Sequence, residues 1–230
     1  MNRNSYIVYD LETGSRNPHT TQITQIAALA IDRNLQVLGT FNSEVCPVFD
    51  PEQCKKLKLG IIEDEALTIT RKTREQLEKA PQLKIVWESF VAFVAKYNIG
   101  NSAFDKPIPV GYNINNFDSI IINRMCAKFG PFDRDEQKPK LFHAINSCDV
   151  MTYIFHFTEN NPSVRSLSLD NTREMLGMSK EHGHDALCDV VDTAEIMIRF
   201  MRLYRNISSK TKFEGSCSSR LLDLNNIKKL

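Results

Sequence analysis

The chain has 230 residues, of which 42% are hydrophobic and 25% are charged, and its formal net charge is +1. This profile is typical of a soluble globular protein and excludes a disordered one, and the length suits one α/β domain rather than two. No apolar run approaches membrane-spanning length, and residues 1–5 lead into a strand-like segment without a signal-peptide core.

The first half of the chain predicts three strands followed by helices. Apolar segments bounded by turn residues place the strands at residues 5–12, 23–32 and 35–47. A hairpin turn at residues 32–34 would join the second strand to the third. Helices are predicted at residues 73–79 and 82–97, the second with a strong amphipathic pattern. The apolar face of that helix comprises Leu83, Val86, Trp87, Phe90, Val91, Val94 and Tyr97.

The second half predicts two further strands among helices. The strands lie at residues 108–112 and 147–151, and the helices at residues 116–129, 166–176 and 185–204. Gly177 would end the middle helix. The buried face of the last helix is predicted to be Leu187, Val190, Val191, Ala194, Met197, Met201 and Tyr204. This order of elements predicts an α/β fold, a mixed five-stranded sheet flanked by helices.

The six cysteines lie mostly in apolar segments and include no Cys-x-x-Cys pair. This pattern favours buried free thiols in a reducing compartment over disulfides or zinc ligands. We therefore expect an intracellular, cytoplasmic protein.

The C-terminal segment differs from the rest of the chain in charge. Residues 199–230 hold eight basic and two acidic residues, for a net charge of +6, whereas the remainder carries −5. Such a segment either holds a polyanion backbone or is a solvated tail, and the sequence leaves both open. We predict a main domain at residues 1–207 and a basic tail at 208–230, in which Leu221, Leu222, Leu224 and Ile227 form a short docking helix for a protein partner.

Two carboxylates end the first predicted strand. Side chains at positions i and i+2 of a strand point the same way, so Asp10 and Glu12 project from one face. The residues before them, Ile7-Val8-Tyr9, are apolar, which fits poorly with an exposed, incidental acidic pair. Metal ligation is the favoured interpretation.

Further candidate residues follow later in the chain. Asp118 stands at the start of a predicted helix, where it either binds a metal or satisfies the free amides of the helix N-terminus. His184 and Asp189 are five residues apart around the start of the last predicted helix. His182 is a close neighbour that competes with His184 for any catalytic role, and a lone histidine in a glycine-rich loop is more often a surface residue.

The chemistry of this set is that of phosphodiester hydrolysis. Four clustered carboxylates cannot all stay ionised unless cations neutralise them. Hard divalent ions such as Mg²⁺ take oxygen ligands, and two adjacent ions suit displacement at phosphorus. A histidine adds a group that accepts a proton from water near neutral pH. Together the residues predict a metal-dependent phosphodiesterase.

The three segments resemble the exonuclease motifs of the DnaQ-like superfamily, in its DEDDh subclass. Asp10-Leu11-Glu12-Thr13 resembles the first motif, Asn113 to Asp118 the second, and His184 to Thr193 the third. The resemblance extends from residue 6 to about 204. The residues and spacing of the second and third motifs are similar to those of exonuclease I. The segment Thr70-Arg71-Lys72-Thr73 replaces the Gly–Ile pair that the family commonly has before the short helix, and we expect Arg71 and Lys72 to contact phosphates.

The resemblance implies an RNase H-like fold and a two-metal site. Asp10 would bridge two Mg²⁺ or Mn²⁺ ions, Glu12 and Asp189 would complete the shell of one, and Asp118 would hold the other. His184 would be the general base that takes a proton from the attacking water.

It also implies a substrate and the residues that bind it. Thr13 would contact the terminal 3′-hydroxyl, and Asn113 and Phe117 would belong to the same substrate site. The leading prediction is a 3′-to-5′ exonuclease that degrades single-stranded DNA to nucleoside 5′-monophosphates. The alternatives are an exoribonuclease similar to RNase T or oligoribonuclease and, third, a non-catalytic nucleic-acid-binding protein on this fold. The sequence does not decide between a monomer and a homodimer, and no membrane contact is expected.

Overall fold

The computed structural model of the chain describes residues 4–179, 183 and 185–210. The chain divides into two compact units, of which the first ends at Ile196 and the second begins at Met197. The described part of the second unit is the C-terminal portion of one helix. His182, His184 and the predicted docking segment at 221–227 lie outside the described residues.

The described strands form a mixed five-stranded sheet and a short separate hairpin. The strands are β1 (Tyr6–Thr13), β2 (Ile23–Ile31), β3 (Val37–Glu44), β4 (Ile108–Gly111), β5 (Phe132–Asp133), β6 (Lys138–Pro139) and β7 (Cys148–Asp149). The sheet order is β3-β2-β1-β4-β7, and β5 pairs with β6 in the hairpin. β1 runs antiparallel to β2 and parallel to β4. The predicted mixed five-stranded sheet is therefore confirmed, with β1 as its central strand.

Helices connect and flank these strands. They are α1 (Pro51–Leu57), α2 (Asp64–Ile69), α3 (Arg74–Glu78), α4 (Leu83–Ala95), α5 (Asp118–Phe129), α6 (Val150–Thr158), α7 (Leu169–Met175) and α8 (Ala186–Lys210). A single 3₁₀ turn, Ile114–Asn116, precedes α5. Within the described residues, no helix is both long and apolar enough to cross a bilayer.

The alternation of β1 separates the core from the acidic side chains. Ile7, Tyr9 and Leu11 are buried in a core cluster that also includes side chains of α4 and α5, such as Trp87 and Ile121. Because successive strand residues point to opposite faces, the residues between them face the other side of the sheet. Because side chains alternate along β1, Asp10 and Glu12 lie on the face of the sheet opposite this core.

Several element predictions needed correction. Residues 147–151 were predicted as a strand, but β7 ends at Asp149 and α6 begins at Val150. The reason is the side chain of Asp149, which accepts a hydrogen bond from the amide of Met151 and caps a helix. The short helices α1 and α2 were not predicted. α1 begins with the Asp50 cap and Pro51, a start signal that its brief apolar pattern did not reinforce.

The prediction for the last helix was correct for part of its buried face, at Val190, Ala194 and Met197, but wrong for Val191, for Tyr204 and for the end of the helix. The helix continues to Lys210 instead of ending at residue 204, so the predicted domain boundary at 207/208 lies inside it. Val191 was expected to be buried but is 47% exposed, and Tyr204 is 39% exposed. The buried positions follow a helical stripe set by small and polar residues as well as apolar ones: Ala186, Val190, Thr193, Ala194, Ile196, Met197 and Phe200.

Candidate metal centre

Three of the predicted ligands converge at one end of β1. A carboxylate oxygen of each of Asp10, Glu12 and Asp189 lies within 4.8 Å of the other two. Asp10 and Glu12 extend from the last residues of the central strand, and Asp189 from the first turn of α8. Residues 179 positions apart in the chain therefore meet, and all of them belong to the first compact unit.

Asp118 reaches the same end of β1 from the first residue of α5. Its side chain is buried, and its Oδ1 accepts a hydrogen bond from the Leu11 amide at 3.2 Å. Leu11 stands between Asp10 and Glu12, so this bond fixes Asp118 beside the cluster. The alternative interpretation, in which the carboxylate serves only the amides of its own helix, does not explain the bond to β1.

The electrostatics of the cluster are unfavourable without a cation. Burial, and then the neighbouring charges of Asp118 and Glu12, raise the pKa of Asp10 well above its ordinary value. Burial, and then the charge of Asp189, raise the pKa of Glu12 to about 8. Burial raises the pKa of Asp118 to about 7, against the lowering effect of hydrogen bonds from the amides of Asp118 and Leu11. An oxygen-only donor set with this crowding fits a hard divalent cation.

Asp185 fixes the start of α8 and, through it, the position of Asp189. Its Oδ1 accepts hydrogen bonds from the amides of Leu187 and Cys188, at 3.1 and 3.2 Å, which makes it the cap of the helix. Its Oδ2 accepts a bond from Nε2 of Gln25 at 3.3 Å. Gln25 is the β2 residue paired with Glu12, so the helix start is tied to the strand beside the cluster.

The predicted general base cannot be placed in this geometry. His184 directly precedes Asp185 in the sequence, but both it and His182 lie outside the described residues. The roles of both histidines therefore stay predictions.

Two of the three predicted substrate residues share a cavity with Glu12. Thr13 and Phe117 line a space of about 350 Å³ together with Ala66, Ile69 and other residues of the β1–α2 region. The hydroxyl of Thr13 donates a hydrogen bond to the carbonyl of Ser15 at 3.1 Å.

Asn113, the third predicted substrate residue, does not line this cavity. It adopts a left-handed backbone conformation with φ of 57°. Its amide donates to Oδ1 of Asp149 at 2.8 Å, and its own Oδ1 accepts from Asn116 at 2.8 Å. The observed contacts of Asn113 shape the loop before α5, and its role toward substrate stays a prediction.

Lys72 is buried and pairs with a carboxylate instead of facing solvent. The residue is 8% exposed, and its Nζ lies 3.5 Å from Oε1 of Glu44. Its charge acts to lower the pKa values of both Glu12 and Asp185. This environment does not support the phosphate contact expected for Lys72. Its neighbour Arg71 is exposed and takes a left-handed backbone conformation with a φ of 55°.

Sequence reasoning missed Arg173, which contacts a predicted metal ligand. Its side chain is 1% exposed, and Nη2 lies 2.5 Å from Oδ1 of Asp189. Nη1 pairs with Asp170 at 2.8 Å, and Nε pairs with Asp192 at 2.7 Å. One signal was available in the sequence: a charged residue stands on the inner face of the predicted helix at 166–176, three positions after an aspartate.

The sequence profile of the RNase_T exonuclease family matches residues 7–197 of the chain, a range that includes all four carboxylates. The chain belongs to the RNase_T exonuclease family. This confirms the predicted DnaQ-like family and the predicted class of enzyme, an exonuclease. The family assignment also covers every strand of the sheet except the first residue of β1.

Curated relatives of this family member include PolC-type DNA polymerase III of Thermotoga petrophila and of Thermotoga maritima. Each is 24% identical over 203 residues, which is 88% of this chain but 12% of the polymerase. The chain therefore spans only a small part of the length of these relatives.

Solved structures confirm the fold of the exonuclease domain. Exonuclease I superposes with a TM-score of 0.66 at 17% identity, over 90% of this chain and 44% of that protein. Escherichia coli exonuclease I in complex with a dT13 oligonucleotide gives a TM-score of 0.64 at 18% identity, over 89% and 43%. Cell-death related nuclease 4 gives 0.61 at 15% identity, over 88% and 65%. The RNase H-like exonuclease fold predicted from the sequence is therefore confirmed.

Proposed function

We propose that this chain is a two-metal 3′-to-5′ exonuclease that hydrolyses single-stranded DNA from a free 3′ end and releases nucleoside 5′-monophosphates. The observation that carries the proposal is the convergence of Asp10, Glu12 and Asp189 within 4.8 Å in a member of an exonuclease family. Asp118, bonded to the amide between the first two, completes the set of four acids.

Mg²⁺ is the proposed cofactor, and Mn²⁺ would substitute for it. Asp10, Glu12, Asp118 and Asp189 would hold the ions, since their oxygens and their raised pKa values fit a site made for divalent cations. When bound, such ions lower the pKa of a water molecule and neutralise charge on the departing oxygen. His184 would accept the proton of the attacking water.

The cavity beside Glu12 is the proposed site of the 3′-terminal nucleotide. Its volume of about 350 Å³ is at the small end of the range for ligand sites, which favours one nucleotide over a continuous strand. Phe117 and Ile69 give it apolar walls on which a base would stack. The Thr13 hydroxyl donates to Ser15, so its oxygen remains available to accept a bond from the 3′-hydroxyl.

Single-stranded DNA is favoured as the substrate by similarity to other proteins. Escherichia coli exonuclease I, which shares the fold, has been solved with dT13 and dA16 oligonucleotides. RNA is the alternative substrate within the same chemistry. A purely nucleic-acid-binding role is disfavoured, because the chain retains four clustered carboxylates that such a role does not need.

The remaining proposals concern the rest of the chain. We keep the predicted exonuclease domain at residues 1–207 and the predicted basic tail at 208–230, with the end of α8 forming the first residues of that tail. The tail would contact the nucleic-acid backbone or a protein partner. The five described cysteines are free, which supports an intracellular, cytoplasmic location.

The test is digestion of matched DNA and RNA oligonucleotides that carry a label at either end, with Mg²⁺ or with EDTA. With Mg²⁺ and a 5′ label on DNA, we expect a ladder of progressively shorter fragments. With a 3′ label, the first product should be a labelled mononucleotide. Internal cleavage, or release of mononucleotides from the 5′ end, would refute the direction of attack. Faster loss of RNA than of DNA would change the substrate and leave the chemistry intact.

A further inference from the structure

Arg173 forms a buried ionic network beside the proposed metal centre. The side chain is among the largest fully buried ones of the described residues. Each of its three nitrogens bonds a different aspartate: Nη1 bonds Asp170, Nη2 bonds Asp189, and Nε bonds Asp192. The network joins α7, which carries none of the proposed catalytic residues, to the first two turns of α8.

The charge balance of the network argues against a purely structural role. One guanidinium faces three carboxylates, so the network keeps a net charge of −2 beside a cluster that is already crowded with acids. Buried ion pairs are weak sources of stability, because apolar side chains of similar volume often stabilise a fold equally well. The stability of the α7–α8 contact therefore does not require an arginine at position 173.

The geometry points instead to the carboxylate of Asp189. Asp170 holds the guanidinium from its own helix, and Asp192 holds it from α8, so the direction of Nη2 is fixed by the other two bonds. Nη2 in turn binds Oδ1 of Asp189 at 2.5 Å. Because the two oxygens of a carboxylate share one plane, a bond to Oδ1 restricts the orientation of the whole Asp189 carboxylate.

We propose that Arg173 is a positioning residue that holds the Asp189 carboxylate in its metal-binding orientation before any ion is bound. This inference rests on the proposed function, in which Asp189 is a metal ligand. Partners that orient ligating carboxylates commonly change metal affinity by about 10- to 100-fold when they are removed. The effect of Arg173 on metal affinity separates this role from two others.

The two competing roles predict different results. If Arg173 only compensated charge, its removal would make the site more negative, and divalent ions would bind more tightly. If it only stabilised the α7–α8 contact, its removal would lower the melting temperature without changing metal affinity. Positioning predicts weaker metal binding even when the local net charge is unchanged.

The test variant is therefore Arg173→Met combined with Asp192→Asn. It removes one positive and one negative charge, so the local net charge stays constant, and it leaves fewer buried carboxylates unpaired. Arg173→Lys is the second variant, because it keeps the charge but cannot bond three carboxylates from one rigid plane. Asp170→Asn is the matched control, because it removes one charge from the network but keeps a side-chain oxygen that accepts from Nη1 and so preserves the orientation of Arg173.

Mn²⁺ affinity is measured by calorimetric titration of the full chain without substrate. We expect about 10- to 100-fold weaker binding in the double variant, a smaller loss in Arg173→Lys and wild-type affinity in Asp170→Asn. Unchanged or tighter binding in the double variant and in Arg173→Lys would overturn the inference. A wild-type chain that binds no Mn²⁺ would overturn both this inference and the proposed metal site, whereas normal wild-type binding with unaffected variants would overturn the inference alone.

Discussion

The backbone amide of Leu11 donates a hydrogen bond to the carboxylate of Asp118, across a chain separation of 107 residues. The bond fixes the first residue of α5 against the end of β1. It places the fourth acid beside the other three and accounts for how a dispersed set of motifs becomes one site.

Asp10→Ala should abolish nuclease activity while leaving the fold intact. Asp10 lies among three other carboxylates, and its removal would take away the ligand proposed to be shared by both metal ions. Removal of a repelling charge should also raise the melting temperature of the metal-free protein. The measurements are the initial rate on a short DNA oligonucleotide and thermal melting in EDTA, with the exposed Asp135→Asn as the control. Substantial cleavage by a well-folded Asp10→Ala would refute the assignment of the site.

The stability of the metal-free protein should fall as the pH rises from about 5 to about 8. The pKa values of Asp10, Glu12 and Asp118 are raised in the folded state, so the folded chain binds these protons more tightly than the unfolded chain does. Their favourable contribution is complete below the unfolded pKa values near 4 and is lost as the pH passes the folded values.

Melting temperatures in EDTA at pH 5.5 and pH 8 measure this slope, and Mg²⁺ should restore stability at pH 8. The double variant Asp10→Asn/Glu12→Gln should show a smaller decline in EDTA. If the melting temperature of the double variant fell with pH as steeply as that of the wild type, groups other than Asp10 and Glu12 would cause the decline.

His184→Ala should reduce the rate by about 10²- to 10⁴-fold while Mn²⁺ binding persists, as expected for loss of a general base. His182→Ala is the matched control, two residues away in the same segment. The wild-type rate should rise with pH through the histidine pKa, and this limb should disappear or move in His184→Ala. If His182→Ala were the damaging change, the alignment of the third motif would be wrong.

Phe117→Ala should lower kcat/KM for DNA by removing the ring on which the 3′-terminal base is proposed to stack. Phe117 lines the cavity beside Glu12, and stacking of a base on an aromatic ring contributes about 1–3 kcal/mol. We therefore expect kcat/KM to fall by roughly 5- to 150-fold, the equivalent of that free energy. An oligonucleotide with an abasic 3′-terminal residue serves as the control. The wild type should discriminate strongly against it, and Phe117→Ala should discriminate little. If the wild type and Phe117→Ala discriminated equally against the abasic oligonucleotide, the 3′-terminal base would not stack on Phe117.

Deletion of residues 211–230 tests the basic tail and leaves α8 intact to Lys210. The deletion removes Lys212, Arg220, Lys228 and Lys229. Each lost phosphate contact should weaken binding to a long single strand and reduce its salt dependence by about 0.7 in log–log slope. Turnover of a saturating short oligonucleotide should persist. Unchanged affinity and slope would exclude a role of the tail in holding nucleic acid.

The sequence predicted the sheet and the grouping of the acids well, for a local reason. Alternation along β1 decides which side chains face the core, and that alternation can be read directly from Ile7 to Glu12. The same periodicity was less reliable on α8. Val191 looks apolar and lies near the buried stripe, but small and polar residues such as Ala186 and Thr193 occupy the buried positions instead.

Long-range partners were the part that the sequence could not supply. The one local signal at Arg173 is its position three residues after Asp170, whereas its contacts with Asp189 and Asp192 depend on how α7 packs on α8. The prediction that Lys72 contacts a phosphate failed for the same reason. Its burial beside Glu44 follows from the tertiary fold, which the local sequence does not reveal. In both cases a charged residue takes its role from a partner far away in the chain.

Anomalous diffraction from crystals soaked in Mn²⁺ would show whether the acids at the end of β1 form a divalent-metal centre. We predict anomalous peaks at coordination distance, about 2.0–2.3 Å, from carboxylate oxygens of Asp10, Glu12 and Asp189, with a second site that involves Asp118. The account would be contradicted by crystals that bind Mn²⁺ elsewhere while these four carboxylates, at pH 8, have no metal between them.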